Sequence, residues 1–172
     1  RDRGEQVALA YAGSSFASDT NGTFRINPSD LADYQRLLSH LPRLHGVVHL
    51  WSLETAVERT APLGQVAAME GGSGSALRLV QALLTANVEP AGLWLVTQGA
   101  QAVTPDDLVR GYAQAGLWGL GRVVALEHPE LRAVCIDLDA AAPREQARKL
   151  QALLLGSEGG VERQVALRAG HP

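Results

Sequence analysis

The chain has 172 residues, 46% of them apolar and 19% charged, with a formal net charge of −3. That length suits one domain with a substantial core, and the balance is globular rather than disordered. The small negative charge offers no basic face for nucleic acid, and the longest apolar runs, such as GVVHLW, fall far short of a bilayer span.

In chain order, EQVALAYAG (5–13) is predicted as a strand ending at glycine, followed by the turn-rich SSFASDTNG and a short extended piece, TFRI (23–26). NPSD (27–30) starts a helix, with Ser29 or Asp30 as its cap and LADYQRLLSHL carrying the apolar face. GVVHLWSL (46–53) is a continuous apolar run of strand length, expected for a strand covered on both faces. After ETAVERTAPLGQVAAME, the segment GGSGSALRLVQALLTAN reads as a helix, and AGLWLVTQGA (91–100) as the next buried strand. TPDD (104–107) is predicted to cap a helix that ends near His128, because Pro129 disfavours helix at the residue before it. RAVCIDLD (132–139) is a strand, PREQARKLQALLL a helix with Pro143 in its first turn, and VERQVALRAG a closing strand.

Strand–helix alternation of this kind predicts a single α/β unit, a Rossmann-like fold with a mostly parallel sheet and helices on both faces. No signal peptide is visible at RDRGEQVALA, so the default expectation is a cytoplasmic location.

Few residues have the setting that chemistry needs. Cys135 is the only cysteine, lies in the apolar run AVCID, and has no local base or cation to lower its pKa, so it reads as a core residue. Of the histidines at 40, 45, 49, 128 and 171, only His45 and His49 stand four apart, and in a strand-like run that spacing sets them about 13 Å apart, too far to share a metal; His49 inside VVHLW reads as a hydrogen-bonded core or sheet-end histidine. A dinucleotide site would need a glycine-rich turn joining the first strand directly to a helix. AYAGSSFASDTNG contains no such turn, and GGSGS (71–75) opens a helix without following a strand end.

Tyr112, in GYAQAGLWGLGRVVALEHPEL (111–131), is the candidate proton donor. A tyrosine acting as an acid near neutral pH needs a cation close by, one helical turn along the same face. Four residues on stands Gly116, and the only lysine, Lys149, is predicted on another helix, so Tyr112 reads as a packing residue. Gly116, Gly119 and Gly121 each cost about 1 kcal/mol in a helix interior, which points to close backbone approach around Trp118. No catalytic, cofactor-binding or metal-binding residue is assigned.

HLWSLE (49–54), LWLVTQGA (93–100), FRINPSDLADYQRLL and above all AGLWGLGRVVALEHPELRAVCIDLD (115–139) resemble the ketoreductase region of modular type I polyketide synthases, specifically its N-terminal, non-catalytic structural subdomain. The resemblance implies a truncated Rossmann-like fold of short-chain reductase descent, spanning residues 1–172, that is no enzyme by itself. It implies that this chain holds no cofactor, while a partner catalytic subdomain carries the NADPH loop and the Tyr/Lys pair. That partner reduces the β-keto group of an acyl chain on an acyl carrier protein, which this chain meets only indirectly. Neighbouring domains of the same polypeptide are the expected partners, with no nucleic acid and no membrane. Tyr112 falls where the fold's catalytic tyrosine helix lies, with Gly116 in place of what should follow. Members of the family begin with a further strand and helix, of which RDRG reads as the tail. Two alternatives stand beside this reading: a pseudo-ketoreductase scaffold in a module that has lost reduction, and a free-standing NADPH reductase.

Overall fold

The computed structural model describes residues 6–41, 43–54, 70–105, 107–139, 142–156 and 162–168. The segment ETAVERTAPLGQVAAME therefore lies, but for Glu54 and Glu70, outside the described residues, as does RDRG.

Among the described residues, seven strands form two sheets. The first holds β1 (Leu9–Ala12), β2 (Ala17–Ser18) and β3 (Thr23–Ile26), with β1 parallel and β2 antiparallel to β3. The second runs β4 (Val47–His49), β5 (Leu93–Gln98), β6 (Ala133–Leu138) and β7 (Gln164–Ala166), parallel throughout. The helices are α1 (Leu31–Ser39), α2 (Ser75–Thr85), α3 (Ala115–Glu127) and α4 (Pro143–Gly156).

Side-chain alternation along the central strands builds two cores. Leu93 and Leu95 of β5, with Ala133 and Cys135 of β6, meet Tyr34 of α1, Leu83 of α2, and Leu117 and Trp118 of α3, in a cluster that also takes in Phe24 and Ile26 of β3. Val96, Val134, Ile136 and Leu138 point the other way, toward Leu150 and Leu153 of α4. Every residue of β6 is buried, as a strand between two helical layers requires. The expected α/β class, parallel strands and helices on both faces are thus present.

Several boundaries differ from the sequence expectation. The single sheet is two, and SSFASDTNG supplies the small antiparallel β2. Asp30, not Ser29, caps α1 by accepting the Ala32 amide at 2.9 Å. GVVHLWSL gives only three strand residues before a 3₁₀ turn, Trp51–Glu54, and Val48 and Leu50 are exposed, so β4 is not covered on both faces. TPDD does not cap α3. The Asp107 carboxylate instead takes the Val103 and Thr104 amides at 2.7 and 3.1 Å in a turn, and α3 begins only at Ala115.

Two of the three helix glycines make the expected close approach. A Cβ on Gly121 would collide with Cys135 Sγ and stand 3.2 Å from Leu95 Cδ1, and one on Gly116 would meet Ser73 Oγ at 2.9 Å. Gly119 departs from the expectation, for none of the described residues lies within 4 Å of its Cβ position.

Candidate functional site

In open α/β sheets ligands bind beyond the carboxyl ends of the strands. Here that place on the α3 side is filled by the protein's own polar groups. Asp137, near the end of β6, has no exposed surface. Its carboxylate accepts from Thr97 Oγ1 at 2.7 Å, from the Ala100 and Gln101 amides at 2.9 and 3.2 Å, and from Arg168 Nη2 at 2.8 Å. Trp118 Nε1 donates to Thr97 Oγ1 at 2.9 Å, tying α3 into the same network. Arg168, just past β7, also donates to the carbonyl oxygens of Gln101 at 2.7 Å and Asp137 at 3.2 Å. A carboxylate this enclosed is tolerated because every direction around it is met by a donor and its charge by a cation. The arrangement holds strand ends, a loop and a helix together, and leaves the carboxylate no free lone pair for a substrate proton.

A second buried group joins β4 to α2. His49 Nε2 lies 2.9 Å from Ser75 Oγ, which donates to the carbonyl oxygens of Gly71 and Gly72 in the π-helical turn Glu70–Gly74. Among the described residues, His49 Nδ1 is buried with no partner beyond its own backbone. Burial pulls the imidazole pKa from 6.5 down to about 4, so it is neutral at physiological pH. A histidine beside a serine invites a nucleophilic reading, but Ser75 has no exposed surface and its proton is committed to backbone carbonyls. The expectation of a hydrogen-bonded sheet-end histidine holds for His49. GGSGS places glycine carbonyls toward its own serine, and a Cβ on Gly72 would stand 3.0 Å from Ser52 Oγ.

Tyr112 sits in the 3₁₀ turn ahead of α3 rather than within it, and its side chain is about half exposed. Lys149, on α4, is engaged by Asp139 Oδ2 and Glu145 Oε1, each at 3.2 Å. The structure thus brings Lys149 to two carboxylates of its own neighbourhood. Cys135 is a core thiol under Gly121, and burial pushes its pKa up to about 11. Among the described residues no three His, Cys, Asp or Glu side chains gather in a metal-binding group. No described helix is long and apolar enough to cross a membrane. Replacing Tyr112 with Phe in a module with working ketoreduction is expected to leave turnover within about twofold, because Gly116 rather than a cation stands four residues on and the residue is half exposed. The reading of Tyr112 as a packing residue is thus corrected, and a fall of orders of magnitude with folding intact would contradict the non-catalytic reading as well.

Asp137 and Arg168 escaped the sequence reading. The signal was there: an acid inside the otherwise apolar AVCIDL must find a buried partner, but nothing nearby in sequence names it.

Residues 5–172 match the family described as polyketide synthase extender module SpnB, Rossmann fold domain. The pikromycin polyketide synthase component PikAII of Streptomyces venezuelae is 39% identical over an alignment of 176 positions that covers 98% of this chain but 4% of that protein. A C2-type ketoreductase from a modular polyketide synthase is 36% identical with a TM-score of 0.68, covering 86% of this chain and 32% of that one. The adenylation, ketoreductase and pseudo Asub structure of a keto acid-selecting NRPS module superposes with a TM-score of 0.82 over 95% of this chain and 14% of that one; at 24% identity this speaks for the fold alone.

Proposed function

This chain belongs to the SpnB-type Rossmann-fold domain family of polyketide synthase extender modules, within the ketoreductase region, and from that we propose that it is the non-catalytic structural subdomain of a ketoreductase. It stabilises a catalytic subdomain that reduces the β-keto group of an acyl carrier protein-bound polyketide with NADPH. The observation that carries this reading is the state of the sheet's carboxyl end, where open α/β sheets bind ligands: on the α3 side the Asp137–Arg168 pair, Thr97 and Trp118 fill it with bonds to one another. Tyr112 without a cation one turn along, and Lys149 committed to Asp139 and Glu145, support it further.

The same reading accounts for apolar surface that the chain leaves open. β1 ends one sheet and β4 ends the other, and Leu9, Tyr11, Val48 and Leu50 along them are exposed. Unpaired parallel edges with apolar side chains call for cover. A strand and helix from the neighbouring synthase polypeptide supply it, pairing with these edges to make one continuous sheet. The outer face of α3, with Gly119, Val123 and Leu126 open, takes the catalytic subdomain.

Titration of the purified chain with NADPH, after its fold is verified by circular dichroism, is expected to give no saturable change in nucleotide fluorescence. Micromolar binding would overturn the proposal and favour a reductase in its own right.

A further inference from the structure

The connection from β5 to α3 is a preformed loop rather than a slack one. It leaves β5 at Gly99, in the left-handed region with φ +60°, where the Gly99 amide donates to the Leu138 carbonyl at 2.9 Å. It closes at Gly111, whose amide donates to the Gly99 carbonyl at 2.8 Å; a Cβ on Gly111 would strike the Gln98 carbonyl oxygen. Ends this close over so short a stretch make an Ω-loop. Inside it, Asp137 takes the Ala100 and Gln101 amides, Asp107 takes those of Val103 and Thr104, and Arg168 bonds the Gln101 carbonyl and lies 3.7 Å from Asp107 Oδ2. These backbone groups of the loop are bonded inward to the three side chains. Its apolar ones are turned outward: Val103 is 56%, Leu108 74% and Val109 41% exposed.

Ordering a loop and exposing its apolar side chains costs free energy twice, in chain entropy and in hydration. We infer that this loop is a docking tip, and that its occupant is the synthase polypeptide continuing after β7. The clasp itself selects that occupant. Arg168, two residues beyond the end of β7, grips the loop at Gln101 and Asp107, so chain leaving β7 departs beside the loop's base. A further ten residues in extended form reach about 35 Å, ample to cross Val103, Leu108 and Val109. The relative PikAII is many times longer than this chain, so polypeptide to fill the role is plentiful in such synthases. The segment that docks carries apolar side chains to meet Val103, Leu108 and Val109, while Asp107 is already engaged by Arg168. The inference rests on the chain being part of a larger synthase, not on its being non-catalytic, so NADPH binding by this chain would leave it standing.

Hydrogen exchange in the intact synthase module tests it. Amides of 103–109 are expected to exchange at least tenfold more slowly than those of an open loop. Leu108→Asp is expected to release that protection, together with protection in the stretch that follows residue 172, while peptides from β5 and β6 stay unchanged and so verify the fold. Free exchange of the loop in the unaltered module overturns the inference. So does release of a preceding segment, or of a contact between two copies, in place of the following stretch.

Discussion

Replacing Asp137 with Asn is expected to lower the domain's stability by about 3–5 kcal/mol, the usual result of removing one partner from a buried ion pair. The size follows from what is left behind. Arg168, with its side chain 15% exposed, would keep a charge whose counter-ion is gone, and an amide cannot satisfy the donors from Ala100, Gln101, Thr97 and Arg168 at once. Arg168→Met is expected to cost a similar amount from the other side. The double change Asp137→Asn with Arg168→Met should cost clearly less than the sum, because neither charge is then stranded. Urea unfolding followed by tryptophan fluorescence measures all three, and Trp118 reports locally through its bond to Thr97. A loss under about 1 kcal/mol for Asp137→Asn would show that the network is decoration rather than the lock on the sheet's carboxyl end.

Mild acid should weaken the fold by a separate route, through His49. Its pKa is about 4 in the folded chain and 6.5 when exposed, so between these values the unfolded chain binds the proton and the folded one does not. The stabilisation is therefore fully present above pH 6.5 and is lost as pH falls through 4. The gap corresponds to about 3 kcal/mol between pH 7 and pH 4. Protonation would also set a cation at the amino end of α2, where the helix dipole opposes it. Asp19 and Asp107, whose carboxyls are held below their usual range by backbone amides, act at lower pH and leave this window to the histidine. His49→Gln should flatten the pH dependence between 6.5 and 4, even if it lowers stability at pH 7. An unchanged slope in that variant would remove His49 from the explanation.

How far the sequence foretold this structure depended on whether the cause was local. The cap at Asp30, the stop at Pro129 and the start at Pro143 act within a turn of themselves, and α1, α3 and α4 follow them. Apolar runs likewise located β5 and β6. GVVHLWSL misled because a continuous apolar run implies cover on both faces, and at Val48 and Leu50 this chain supplies none. TPDD misled because the Asp107 carboxylate folds back on Val103 and Thr104 instead of starting a helix. At the candidate site, the sequence put Tyr112 on the helix as a packing residue, whereas it lies in the turn ahead of α3 and is about half exposed, because α3 starts only at Ala115. Asp137 could not be matched to Arg168, because 31 residues separate them and only the register of β6 with β7 brings them together.

The packing of Gly121 over Cys135 also gives the molecule an internal clock. The lone thiol, 2% exposed and with its pKa pushed up to about 11, carries a thiolate fraction near 10⁻⁴ at pH 7, and reagents that attack thiolates find neither charge nor access. Oxidants that would link copies of such a protein through sulfur meet the same barrier, so exposure to air does not by itself oligomerise the folded chain. Alkylation of Cys135 must wait until α3 parts from β6, so its rate follows the population of that opening when reclosing is faster than the reagent, and the opening rate itself when the reagent is faster.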